Sequence, residues 1–208
     1  SIYLTIEIYK NLKIAITGAN GFVGNNLSNY LTQKGLEILR VQRKKAANCV
    51  NIPNCDKTTN WNEALKDVDT IVHCAGIVHQ KKHHSFEKFY KVNVQGTESL
   101  LNQAVKAGVR NVIFISSIKV NGENSSLLNP FMDDSNDNPT DYYGISKLFA
   151  ENIVKSISKL EGINYVIIRP GLIYGPRVKA NFYNLIRLVD SGIPLPFGDI
   201  SNKRSLLF

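Results

Sequence analysis

The chain has 208 residues, 43% hydrophobic and 20% charged, with a formal net charge of +8. That is enough for one domain with a sizeable core and short for two. No apolar run reaches the length of about 18 residues that suggests a membrane span. Residues 1–10 alternate apolar and polar side chains, with no basic head or long apolar centre, so they do not read as a secretory signal. Cys49, Cys55 and Cys74 are too few and too irregular for a disulfide framework, which fits a reducing, cytoplasmic compartment. The basic residues are scattered apart from Arg43-Lys44-Lys45 and Lys81-Lys82, and no base-reading motif accompanies them. An anionic small ligand explains the charge better than nucleic acid.

Taken in order, the chain alternates strand and helix. Lys13–Thr17 (KIAIT) is a short apolar run ending in glycine, read as a buried strand. Phe22–Gln33 has helical spacing and is closed by Gly35. A second strand is expected over 36–42, a short helix over 61–66 and a strand over 70–75. Residues 85–107 read as one helix ending at Gly108, followed by a strand over 111–116 (NVIFIS). Residues 121–140 are polar and form a loop near the chemistry. A helix over 142–160 meets Gly162, and a strand over 163–169 is stopped by Pro170. This alternation predicts an α/β fold: a Rossmann-type, doubly wound parallel sheet covered by helices on both faces.

Gly18, Gly21 and Gly24 lie in TGANGFVG, directly after the first strand and at the opening of the first helix. That is the context in which such a triad binds a dinucleotide. The first glycine permits the tight turn, the second lets the pyrophosphate approach, and the third lets helix pack on strand. The helix N-terminus then offers free N–H groups to phosphate. NAD-preferring sites carry Asp or Glu at the end of the second strand. Here that end reads Val41-Gln42-Arg43-Lys44. Arg43 suits the 2′-phosphate of NADP; the alternative is that Arg43 and Lys44 are solvated turn residues.

Tyr143 and Lys147 stand four apart in YGISK, on one face of a helix. A tyrosine with an ordinary pKa of about 10 must be brought down by roughly three units to act as a base near neutral pH. A nearby ammonium such as Lys147, with a cationic nicotinamide, is expected to supply that. Ser117 ends the NVIFISS strand and is placed to bond the reacting oxygen. His73, His79, His83, His84 and Cys74 match no zinc spacing, so no metal site is expected. Trp61 reads as a core residue at a helix start, and Asp133, Asp134 and Asp137 as solvated loop residues.

With TGANGFVG, VHCAG, NVQGT, SSIKVNG, YGISK and RPGLIYGP all present from Lys13 onward, the sequence resembles the extended short-chain dehydrogenase/reductases, in the nucleotide-sugar epimerase/dehydratase group. SSIKVNGE, YGP, VKANF and PLPFGDISNKRSL are most similar to UDP-N-acetylquinovosamine-type 4-ketosugar reductases, with UDP-glucose 4-epimerases as close relatives. The resemblance implies a catalytic Ser117-Tyr143-Lys147 triad. It implies an NAD or NADP site through Gly18, Asn20, Gly21, Phe22, Val23, Gly24, Arg43, Ala75, Asn93, Tyr143, Lys147 and Pro170. Ser117, Asn181 and Arg204 would touch the substrate, a UDP-linked sugar. The implied reaction is hydride transfer at C4 of a UDP-hexose, by an epimerase or a 4-ketoreductase. The competing class is a non-catalytic dinucleotide-binding sensor or scaffold. A homodimer would form through the helices over 85–107 and 143–160.

Four departures from the group's pattern narrow the expectation. Ile118 and Lys119 stand where dehydratases carry an acidic pair, which argues against dehydration. Asn121 replaces the tyrosine of many epimerases, Gly76 an alanine, and Arg177 a glycine. Relatives of this group continue well past the position of Phe208. The expected organisation is therefore an N-terminal extension over 1–12, the dinucleotide-binding domain over 13–175, and the start of a shortened substrate-binding region over 176–208.

Overall fold

A computed structural model describes residues 12–78, 85–126, 128–176, 178, 180–192 and 205–208. The expected Rossmann architecture is present. Six parallel strands run in the order β3-β2-β1-β4-β5-β6: β1 Lys13–Thr17, β2 Glu37–Gln42, β3 Cys49–Asn51, β4 Thr70–His73, β5 Asn111–Ile115 and β6 Asn164–Ile168. Ile14 pairs with Ile38 on one side and Thr70 on the other, so β1 is central. The strand order reverses beside β1. In doubly wound sheets ligands bind at that reversal, outside the carboxyl ends of the strands.

The helices are α1 Phe22–Gln33, α2 Asn62–Leu65, α3 Phe86–Phe89, α4 Gly96–Ala107 and α5 Tyr142–Glu161. Short apolar strands become buried because parallel strands are covered on both faces. Ala15, Val41, Ile71, Val112 and Phe114 form the sheet's share of the core, and Leu100, Leu101, Ala150 and Val154 the helices' share. Trp61 caps the start of α2 and is 1% exposed, as expected of a core residue. Gly108 and Gly162 end α4 and α5 in the left-handed conformation, where glycine carries no Cβ penalty.

Two expectations need correction. The helix expected over 85–107 is interrupted by a π-helical segment, Tyr90–Gln95, between α3 and α4. Periodicity over 23 residues does not reveal one inserted residue, and such bulges cluster at functional sites. The three-residue β3 was missed because it is too short and polar to show alternation; pairing of Arg40 with Cys49 and Val41 with Val50 creates it.

The chain divides into two compact units between Arg169 and Pro170. Residues 170–175 thus group with the second unit, because β7 Leu172–Ile173 pairs in parallel with β8 Leu206–Leu207. In that unit Tyr174 packs on Phe182 and Phe208, with centroids 5.6 and 5.3 Å apart. A helix not anticipated from the sequence, α6, spans Ala180–Asp190.

Candidate functional site

The glycine loop closes on backbone. Gly18 has φ +67°, and a Cβ there would sit 2.9 Å from the Ala75 backbone. A Cβ on Gly24 would collide with the Gly18 carbonyl oxygen. Both positions therefore require glycine, for conformation in the first case and for helix–strand contact in the second. Gly21 precedes α1 with no side-chain cap, and the first turn holds no acidic residue. The amides of that turn are left for an anion, in the favourable end of the helix dipole.

A cleft of about 420 Å³ opens here, bounded by Gly18, Asn20, Gly21, Arg43, Ala75 and Gly76 among others. Phe22, Val23 and Gly24 form the helix turn beside it. No carboxylate stands at the end of β2. The Gln42 amide donates to the Lys44 carbonyl (2.9 Å), and Asn51 donates to the Arg43 carbonyl (2.8 Å), which ties this corner down. Lys88 and Lys91 also line the cleft. Lys91 pairs at 3.4 Å with Asp56, whose carboxyl is held below its usual range by hydrogen bonds from Thr58. The cleft's glycine-built wall, free helix amides and cationic rim fit a dinucleotide diphosphate.

A directed chain of hydrogen bonds runs beneath it. The Ala75 amide donates to Thr17 Oγ1 (3.1 Å), which lies 2.7 Å from His73 Nδ1. His73 Nε2 is 3.1 Å from Thr97 Oγ1, and the Thr97 hydroxyl donates to the Asn93 carbonyl (2.7 Å). Because Thr97 spends its proton on that carbonyl, Nε2 must donate and Nδ1 must accept from Thr17. Burial pushes His73 down to about 3, so it is a neutral link with one tautomer. The Asn93 side chain accepts from the Ile77 amide (2.8 Å) and donates to the Ile77 carbonyl (3.1 Å) and Ser146 Oγ (3.0 Å). Ser146 in turn donates to the Tyr143 carbonyl (2.7 Å). Asn93 sits in the π-helical segment and joins residues 75–77 to α5.

Tyr143 and Ser117 are brought together by a close approach. Asp141 caps α5, accepting from the Gly144 amide at 2.6 Å. A Cβ on Gly144 would lie 2.7 Å from the Lys119 carbonyl oxygen, so only glycine lets α5 reach the 3₁₀ turn Ile118–Val120. The Ser117 hydroxyl hydrogen-bonds the Tyr143 phenol. Burial raises the phenol above its ordinary range, Ser117 pulls it back, and Asp141 raises it further. Lys147 follows one helical turn after Tyr143 on α5. Lys147 is itself 5% exposed, with Nζ 4.3 Å from the Phe114 ring centroid. Burial lowers it to about 8, against the opposing pull of Cys74, Glu151 and Cys55. Its Nζ comes within 3.9 Å of where a Gly76 Cβ would be, at the floor of the cleft.

Of the remaining sequence candidates, Pro170 opens the second unit and Asn181 lies in α6. Arg204, Arg177, His79, His83 and His84 lie outside the described residues. Asp137 is not a free loop carboxylate as expected: it pairs with Arg169 at 2.8 Å. Sequence reasoning also missed Thr17, Thr97 and Ser146. The available signal was their position, immediately before the glycine loop or one turn from Asn93 and Tyr143.

A 3-2-1-4-5-6 parallel sheet, a glycine loop at its switch point and a Ser/Tyr/Lys cluster beyond β5 define a Rossmann-type dinucleotide-binding protein of the short-chain dehydrogenase/reductase class. Comparison with known proteins agrees. Residues 14–208 match the NAD dependent epimerase/dehydratase family, and the chain belongs to that family. It is 42% identical to a UDP-glucose 4-epimerase of Vibrio cholerae over 203 residues, covering 93% of this chain and 62% of the relative. It is 31% identical to the N-acetyl-alpha-D-glucosaminyl-diphospho-ditrans,octacis-undecaprenol 4-epimerase of Escherichia coli O157:H7, covering 95% and 60%. Among solved structures, UDP-glucuronic acid 4-epimerase from Bacillus cereus, in complex with UDP-glucuronic acid and NAD, superposes with a TM-score of 0.78. Identity there is 25%, covering 94% of this chain and 68% of that one. MoeE5 in complex with UDP-glucose and NAD gives 0.77 at 26% identity, covering 93% and 67%. The chain thus spans about 60% of the length of the curated relatives named here. Among the described residues no helix is long and apolar enough to cross a membrane.

Proposed function

We propose that this chain is the cofactor-binding part of a nucleotide-sugar epimerase or 4-ketoreductase that works by hydride transfer at C4 of a UDP-linked hexose. The observation that carries the reading is the Ser117–Tyr143 hydrogen bond, with the buried Lys147 ammonium reaching the floor of the glycine-loop cleft. The nicotinamide, when bound, supplies the hydride acceptor or donor. Gly18, Asn20, Gly21 and the first turn of α1 would hold its diphosphate, Arg43 the adenosine ribose end, and Ala75 and Asn93 the wall along it. Tyr143 exchanges the proton of the C4 hydroxyl, Ser117 orients that oxygen, and Lys147 stands by as the cation that offsets charge on the phenolate. The balance at Tyr143 favours the neutral phenol in the protein alone, which suits a proton donor to a C4 ketone.

NAD is the cofactor expected from the family. Arg43 at the end of β2 leaves room for NADP as well, and the two dissociation constants measured side by side decide between them. Pro170, Asn181 and Arg204 are proposed to contact nicotinamide and sugar nucleotide as the resemblance implies. The assembly proposed is a homodimer through α3 and α5. Phe86, Tyr90, Tyr142 and Phe149 form an aromatic cluster there with ring centroids 5.7–6.4 Å apart, and Tyr142 is 54% exposed. A Phe149→Asp variant that sediments as monomer supports that face.

The deciding experiment is Tyr143→Phe. Turnover of a UDP-hexose or UDP-4-ketohexose should fall on the order of 10²–10⁴-fold, while NADH binding followed by fluorescence persists. A protein whose turnover is indifferent to Tyr143→Phe, or that binds dinucleotide without any turnover, is a sensor or scaffold instead.

A further inference from the structure

One turn beyond Lys147, α5 carries a carboxylate that the proposed mechanism does not use. Glu151 is 0% exposed. Its Oε1 accepts from Ser116 Oγ (2.5 Å) and Arg169 Nε (2.9 Å), and its Oε2 accepts from Arg169 Nη2 (2.5 Å). Arg169 also reaches Asp137 Oδ1 at 2.8 Å, and Lys155 Nζ lies 3.7 Å from Glu151 Oε2. Three segments meet at this one carboxylate: the Tyr143–Lys147 helix, the end of β5 one residue before Ser117, and the end of β6; the polar loop over 121–140 joins them through Arg169.

A buried ion pair is a poor device for stability. Desolvation of both charges offsets most of their attraction, and an apolar pair of the same volume would hold the sheet to the helix as well. What a bidentate pair adds is direction, because guanidinium and carboxylate mate in one plane. Here that direction is handed to Ser116, and the next residue is Ser117. The titratable groups facing Lys147 are Cys74 at the end of β4, Cys55 in the loop after β3, His73 and Glu151. Burial keeps both thiols up at about 12 and His73 down at about 3. Glu151 is the carboxylate that opposes the lowering of Lys147, one helical turn along α5.

We propose that Glu151 and Arg169 are positioning residues for the site: their bidentate pair sets Ser117 opposite Tyr143 by way of Ser116, and Glu151 supplies the counter-charge that faces Lys147 along the helix. The proposal rests on the hydride-transfer reading above. The Asp137–Arg169 contact closes the arrangement by fastening the 121–140 loop to the same guanidinium.

Two variants separate position from charge. Glu151→Gln keeps the shape and a hydrogen bond to Ser116 but removes the charge. The alkaline limb of kcat/KM, where Lys147 gives up its proton, should move to lower pH by about one unit, and kcat should fall about tenfold or more. Followed by fluorescence, the pH midpoint of NADH binding should move the same way, which reads Lys147 without turnover. Ser116→Ala keeps the charge and removes the link, so kcat should fall with neither midpoint displaced. Glu151→Asp should restore the midpoints but not kcat, because the shorter side chain cannot span Ser116 and Arg169 together. Unmoved midpoints in Glu151→Gln overturn the charge role, and an undiminished kcat in Ser116→Ala overturns the positioning role. Should Glu151→Gln fail to fold, Arg169→Lys, which keeps the charge and loses the fork, must lower kcat without moving the NADH midpoint; otherwise the proposal falls. The parent reading fails separately, by turnover surviving Tyr143→Phe.

Discussion

The glycine loop after β1 and the Tyr143 face of α5 meet around residues 75–77, yet they are made of different materials. The loop is backbone and absence: Gly18, Gly21 and Gly24 matter because no Cβ fits, and what binds is a row of amides. The α5 side consists of buried polar groups, with Lys147 and Glu151 withdrawn from water and His73 locked neutral beneath them. The first kind of site is specified by sterics and tolerates changes of pH. The second is specified by desolvation, so its properties move with protonation.

That contrast can be broken at three points. The largest effect is expected at Gly24→Val. The added carbons meet the Gly18 carbonyl with no room to relax, so stability should fall by about 3 kcal/mol or more, and NADH binding should vanish at every pH. Denaturant unfolding and fluorescence titration check both statements; a variant that binds NADH only at high pH would contradict the steric account.

Next is Lys147. Its folded value of about 8 lies below the 10.5 of an exposed lysine, so the unfolded chain binds the extra proton between those limits. Stability should therefore rise with pH from about 8 to about 10.5, by at most about 3 kcal/mol. Lys147→Met should abolish that rise, as read from urea midpoints across the range. A slope unchanged by the substitution would place the titration elsewhere.

The smallest effect is expected in the chain under the cleft. Thr17→Val removes the donor to His73 and the acceptor of the Ala75 amide, at a cost of about 1–3 kcal/mol. NADH affinity should weaken modestly, since the 75–77 wall loses its anchor, while the pH midpoint of binding stays in place. A large pH shift in that variant would mean that His73 titrates and is not the neutral link drawn here.

Much of this molecule was legible in one dimension. KIAIT before TGANGFVG is a strand, a turn and a helix by local rules alone, and Tyr143 and Lys147 share a face because a helix returns every 3.6 residues. The Ser117 position followed from the end of an apolar run. Less could be read where the decisive partner is distant. Asp137 looked like a solvated loop residue because Arg169, its partner, lies 32 positions away. Spacing named Lys147 as a neighbour of Tyr143 but said nothing of burial, which acts most strongly on the phenol, or of Ser117, 26 positions away.

What the sequence determined by itself is therefore local: strand and helix order, the glycines that no side chain can replace, and the residue types able to move a proton. Those follow from sterics and periodicity, which act over a few residues. Tertiary structure alone decided the rest: the tautomer of His73, the π-helical insertion that aims Asn93, and the convergence of Ser116, Glu151, Arg169 and Asp137. Each depends on which distant groups share a water-free space, and the free energy of a buried proton or charge is set by that company.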